Sequence, residues 1–130
     1  MTTILGKWKG ESQENMEVLL KAIGLPEDKI PVIVSDKQIF NISKDGDYFT
    51  FDVTSQITGN AKTKFKEGEP YEAPTLTGGN KTFVATKEGD KVHVRQQDGP
   101  LERIYEIVGD KMLLTIKAGD ASGKIYFSKV

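Results

Sequence analysis

The stretch Asn80-Lys81-Thr82-Phe83-Val84-Ala85-Thr86-Lys87-Glu88-Gly89-Asp90-Lys91-Val92-His93-Val94-Arg95 decides the fold. Two runs rich in β-branched and aromatic residues flank Glu88-Gly89-Asp90, a tight turn with glycine between acidic residues. This is the pattern of an antiparallel hairpin. Moving outward in both directions, the same unit recurs. Turns fall at Lys44-Asp45-Gly46-Asp47, Gly59-Asn60, Glu67-Gly68-Glu69, Gly78-Gly79-Asn80, Asp98-Gly99, Gly109-Asp110 and Gly119-Asp120. Their spacing of mostly about 8–12 residues is the beat of up-and-down strands. From Gln38 onward the predicted strands are 38–44, 47–54, 59–66, 69–73, 80–87, 90–97, 101–108, 111–118 and 122–129. A sheet of that many strands has two open edges unless it curls shut. Once shut, it encloses an interior, and what fills that interior becomes the functional question.

The N-terminal part supplies one more strand and a change of period. Residues 4–13 read as a strand, with Ile4 and Trp8 on one face and Lys7 and Lys9 on the other. Met16, Leu19, Leu20 and Ile23 then follow helical spacing, an apolar stripe one face wide. Asn15 is placed to cap that helix, Glu17 lies in its first turn, and Gly24 and Pro26 end it. A short second helix is expected over 27–34, with Pro31 tolerated in its first turn or kinking it if deeper. Two short helices cannot cover such a barrel, but they can cap one mouth. The expected fold is all-β: a ten-strand up-and-down antiparallel barrel, or clam, with a helix-turn-helix lid, forming one domain over 1–130.

Composition narrows the function. The 130 residues carry a net charge of −1, with 37% hydrophobic and 28% charged residues, an ordinary globular balance. No basic excess argues for nucleic acid as a partner. The absence of cysteine removes disulfides, thiol nucleophiles and thiolate metal sites. Met1-Thr2-Thr3-Ile4-Leu5-Gly6-Lys7-Trp8 contains no apolar run long enough for a signal peptide, so a cytoplasmic location is expected. His93 is the single histidine, and no nucleophile elbow, phosphate loop or His-Glu-x-x-His pattern occurs. Most carboxylates stand beside glycine in turns, where they shape backbone. No catalytic residue, cofactor or metal ion is expected.

With these elements in place, the chain resembles the intracellular lipid-binding proteins, the fatty-acid-binding and cellular retinoid-binding family. The resemblance rests on Gly6-x-Trp8, on Asn15-Met16-Glu17-x-Leu19-Leu20, on Lys44-x-Gly46-Asp47, on Phe65-Lys66-x-Gly68, on Asp98-Gly99 and on Lys124-Ile125-Tyr126. It departs at Met16, where the family usually has an aromatic, and at Gly10, where it has a larger apolar residue. The resemblance implies a hydrated cavity that holds a fatty acid or related small hydrophobic ligand. It also implies helices that form the portal. A monomer is expected, with transient membrane contact through the helical lid, near which Lys21, Lys29 and Lys37 lie.

The same resemblance assigns site residues. The family's Arg-x-Tyr pair on the last strand reads Lys124 and Tyr126 here, and its other carboxylate-facing arginine reads Tyr105. Lysine keeps the charge without the bidentate fork, and tyrosine keeps a donor without charge. Arg103 shares the face of Tyr105, and Arg95 aligns with a cavity position, as does His93. Simple alternation disagrees, since it puts Val92 and Val94 inward and His93 and Arg95 outward. The cavity assignment is adopted on the ground that a wet cavity inverts the usual polarity. The ligand tail is expected against Met16, Leu19, Leu20 and Ile23 from the first helix, and Phe40, Phe49, Phe51, Leu114 and Ile116 from strands. Trp8 is expected to plug the closed end. Beside a fatty-acid carrier stand two alternatives: a carrier of a neutral or retinoid-type lipid, and an interaction module with a vestigial cavity.

Overall fold

The computed structural model describes residues 4–55, 59–74 and 79–130. Met1, Thr2 and Thr3 of the N-terminal reading and Gly78 of the Gly78-Gly79-Asn80 turn lie outside the described residues. Among the described residues the order is β1 (Gly6–Glu14), α1 (Met16–Ala22), α2 (Ile30–Ser35), β2 (Ile39–Asp45), β3 (Tyr48–Ser55), β4 (Gly59–Lys66), β5 (Tyr71–Pro74), β6 (Asn80–Glu88), β7 (Lys91–Gln96), β8 (Leu101–Val108), β9 (Lys111–Ala118) and β10 (Ala121–Lys129).

Ten strands form one antiparallel sheet in the order β4-β3-β2-β1-β10-β9-β8-β7-β6-β5. Joining β1 to β10 brings the two ends of the chain together and curls the sheet into a nearly closed barrel. Its remaining edges, β4 and β5, share no ladder among the described residues. Side chains bridge that seam: Phe65 of β4 stacks on Tyr71 of β5 with ring centroids 4.8 Å apart and planes at 14°. The turns explain their own composition. Gly46, Gly89, Gly109 and Gly119 have φ of 61°, 61°, 64° and 62°, the left-handed region where a side chain is strained.

The closed end is built around Trp8. It is 3% exposed, donates from Nε1 to the Ile4 carbonyl at 2.9 Å, and carries the Lys129 ammonium 4.6 Å from its ring centroid. Farther along β1 the pairing with β10 shifts between Gly10 and Ser12, so Glu11 is the extra residue of a β-bulge. The bulge is pinned from outside. The Glu11 carboxylate accepts from Lys111 Nζ at 2.5 Å and from the Ser128 hydroxyl, and Lys37 donates to the Glu11 carbonyl at 2.9 Å.

The helix pair enters between β1 and β2. Met16, Leu19 and Leu20 of α1 are buried as the apolar stripe requires. The helix begins directly on β10, because a Cβ on Gly123 would stand 2.7 Å from Met16 Sδ and 3.3 Å from the Asn15 carbonyl oxygen. Two local expectations are corrected. Asn15 occupies the cap position but adopts φ 57° and gives no side-chain cap; it turns the chain out of β1 instead, a role asparagine tolerates. The second helix starts at Ile30 and not at 27, because residues 26–29 close a turn, with the Lys29 amide donating to the Pro26 carbonyl at 3.0 Å. Pro31 then falls in the first turn, where its missing N–H has no helical partner to lose.

Candidate ligand cavity

Inside the barrel lies a cavity of about 460 Å³, within the range of roughly 300–1,000 Å³ that suits one small ligand. Strand alternation decides which residues reach it. Phe40, Phe51, Phe65, Tyr105 and Phe127 point inward and touch across the barrel. Phe51 and Tyr105 have centroids 5.0 Å apart, Phe40 and Phe127 4.9 Å, Phe51 and Phe65 5.1 Å, and Phe40 and Tyr105 6.3 Å. These contacts make an aromatic floor.

The charge inside comes from β8. Arg103 pairs with Val94 on β7 and Ile116 on β9, and Tyr105 with Val92 and Leu114. The two therefore stand one above the other on the inner face. The Arg103 guanidinium lies beside the Tyr105 phenol and 5.5 Å from the Phe83 ring centroid, an attractive cation–π position. Among the described residues it has no carboxylate within ion-pair distance. Burial pushes the Tyr105 phenol up, with the Arg103 charge opposing in part. Burial likewise pushes Tyr71 up, with Tyr105 adding and Arg103 opposing. Both phenols are thus neutral donors near pH 7.

Several expected site residues do border this cavity: Met16, Phe40, Phe51, Arg103, Tyr105, Leu114 and Ile116. Others do not, and their placement is corrected here. On β10, Gly123, Ile125 and Phe127 are buried, Lys124 is exposed and Tyr126 half-buried, so Lys124 and Tyr126 stand on the outer face. The cavity meets Ile125 and Phe127 instead. The reason is packing and hydration together: Phe127 closes on Phe40, and the lysine stays in water, where its charge is cheapest. On β7, Val92 and Val94 are buried, so simple alternation holds and the inverted polarity does not. Arg95 points outward, 3.7 Å from Glu102 and 4.0 Å from Glu88, and His93 lies 3.6 Å from Glu102 on that face. Leu20 is fully buried and Ile23 packs against the same core, but neither borders the cavity; they hold the lid. Phe49 lines a separate small hollow with Lys44 and Lys66.

Sequence reasoning missed five polar residues of the cavity wall: Gln13, Asp36, Gln38, Asn60 and Thr63. Gln13 escaped because the Glu11 bulge changes parity. Trp8 and Gly10 face inward at even numbers, and after the extra residue the inward position is 13. Asp36 ends α2, where its backbone N–H donates to the Ile33 carbonyl and its carboxylate accepts from the Ser55 hydroxyl at the end of β3. No motif marks it, since the contact spans two elements.

Comparison with known proteins agrees with this architecture. The chain matches the model of the lipocalin and cytosolic fatty-acid-binding protein family over residues 2–129. It is 30% identical over 123 residues to fatty acid-binding protein type 2 of Fasciola hepatica, covering 92% of each chain. It is 35% identical over 130 residues to human cellular retinoic acid-binding protein 1, covering 92% of this chain and 93% of the other. A fatty acid-binding protein of Schistosoma mansoni, solved in complex with arachidonic acid, superposes with a TM-score of 0.92 at 25% identity, covering 100% of this chain and 98% of that one. Such proteins are lipid-binding carriers and not enzymes. Among the described residues no helix is long and apolar enough to cross a membrane. A lidded barrel with an aromatic-floored cavity, matched from residue 2 to residue 129, belongs to the lipocalin and cytosolic fatty-acid-binding protein family.

Proposed function

We propose that the chain works as a single cytoplasmic domain that holds one long-chain fatty acid, or a similar hydrophobic carboxylate, and transports or buffers it. The observation that carries this reading is Arg103, a guanidinium on the wall of a largely apolar cavity with no carboxylate partner among the described residues. A half-buried cation in that position is short of a counter-charge. A carboxylate supplies it and accepts two parallel hydrogen bonds from the guanidinium, while Tyr105 donates a third. The anchor expected at Lys124 and Tyr126 passes in this reading to Arg103 and Tyr105. Two relatives are named for fatty acid or retinoic acid, and both ligands are hydrophobic carboxylates, which supports an anionic head group. A retinoid-type lipid is the second reading, favoured by that same 35% identity.

The carrier would be a monomer that touches membranes transiently through its lid, where Val18 and Val32 are 59% and 48% exposed beside Lys21 and Lys29. The test uses delipidated protein and displacement of a fluorescent fatty acid. Oleate and retinoic acid should displace the probe, and methyl oleate and retinol should do so at least about tenfold more weakly, since hydrogen bonds to a charged group are lost. Displacement by none of them sinks the carrier reading. Equal displacement by acid and ester sinks the anionic head group.

A further inference from the structure

Gln13 reaches the cavity through the Glu11 bulge, and there it is incompletely satisfied: its carboxamide oxygen is buried with no hydrogen-bond partner among the described residues. Buried polar atoms in native proteins are nearly always paired, so this one marks a place where a partner belongs. Gln38 and Asn60 border the same cavity. Three carboxamides thus border a cavity whose polar groups a plain hydrocarbon chain leaves unmet. The terminal torsion of glutamine is soft, so a small turn brings one end of the amide to the cavity surface.

The register locates Gln13 relative to the head-group site. It pairs with Ile125, Ile125 with Leu114, and Leu114 with Tyr105. Gln13 thus lies three strand spacings from Tyr105, about 14 Å along the wall. The two side chains enter the cavity from different strands, so a group that meets Gln13 is a different part of the ligand from the carboxylate at Arg103.

We propose that the physiological ligand is a hydroxylated long-chain fatty acid, its carboxylate on Arg103 and its chain hydroxyl on Gln13. This rests on the reading of Arg103 as the head-group site. A hydroxyl both donates and accepts, so it satisfies whichever end of the amide turns toward it. A ketone only accepts and leaves the carboxamide oxygen unpaired. A methylene leaves the whole group facing hydrocarbon.

The test compares stearate, 10-hydroxystearate and 10-oxostearate by calorimetric titration of the delipidated wild-type chain and of Gln13→Leu. The wild type should bind the hydroxy acid roughly five- to tenfold tighter than the other two, the ratio of one net hydrogen bond. Gln13→Leu should abolish that preference; Gln13→Met, close to glutamine in length, repeats the measurement should the leucine variant unfold. Equal binding of the three acids by the wild type overturns this inference alone, as does a preference that survives loss of the amide. Binding of none overturns the carrier reading with it.

Discussion

Replacing Arg103 by leucine should move binding and stability in opposite directions. The guanidinium has the Tyr105 hydroxyl and the Phe83 ring as neighbours and no carboxylate within ion-pair distance among the described residues. In the free protein it contributes a cation–π contact with Phe83, about 1 kcal/mol. Against this stands the cost of holding an unpaired charge partly out of water, which is of similar or larger size. Arg103→Leu should therefore leave the unfolding free energy of the free protein unchanged or raise it by about 1 kcal/mol, roughly 2–5 °C in midpoint. Ligand binding should fall sharply, because charge-assisted hydrogen bonds are worth about 1.5–3 kcal/mol, or roughly 10- to 150-fold in affinity. Methyl oleate, lacking the charge, should bind the variant and the parent alike. Lys124→Ala is the control: its side chain stands outside the barrel, so oleate affinity should change less than about twofold, with a stability effect of surface size. The measurements are urea unfolding of delipidated protein and fluorescent-probe displacement. If Arg103→Leu destabilises the free protein and leaves oleate affinity intact, Arg103 is a structural residue and the head-group argument fails. A large loss of affinity in Lys124→Ala refutes the assignment of the inner face of β10.

Other outcomes follow from the packing. Gly123→Val should destabilise by about 1–3 kcal/mol, since the new atoms meet Met16 Sδ and the Asn15 carbonyl and must lift α1; a second change, Met16→Ala, should recover part of that in urea titrations. Trp8→Ala should cost about 3–5 kcal/mol, because it empties the closed end of the barrel, and the midpoint of thermal unfolding reports it. The Glu11–Lys111 contact makes stability depend on pH at both extremes. Its hydrogen bond to Lys111 holds the Glu11 carboxyl below 4.5, so this contribution is present above that value and is lost as pH falls through the folded pKa. The same bond holds the Lys111 ammonium above 10.5, so its contribution is present below that value and is lost as pH rises through the folded pKa. Lys111→Met should flatten the stability profile in both ranges, as measured by urea unfolding across pH.

Turn chemistry and period were enough to establish the architecture. Glycine beside acidic residues at 46, 89, 109 and 119 marks the left-handed positions that hairpins need, and the shift to helical spacing between Met16 and Ile23 marks the lid. Both signals are local: each depends on the residues of one turn or one helix face. Alternation also places Val92 and Val94 inside on β7, as the structure has them, while the cavity position that family likeness implies for Arg95 is one its exposed side chain does not take.

The site needed the tertiary structure. On β10 the residues Lys124, Ile125, Tyr126 and Phe127 offer a plausible inner face in either register, and a slip of one residue exchanges the two faces. Contact between Phe127 and Phe40 from the neighbouring wall decides it. The position of Gln13 depends on a bulge whose cause, the Glu11 contacts to Lys111 and Ser128, lies on β9 and β10 about a hundred residues away. That the barrel stops short of closure between β4 and β5, with Phe65 on Tyr71 across the seam, follows from how far the sheet curls. The amino-acid sequence by itself determined a lidded barrel because turns and periods are properties of neighbours along the chain. The tertiary structure decided which side chains face the cavity, because facing is set by contacts between strands that meet only when the sheet closes.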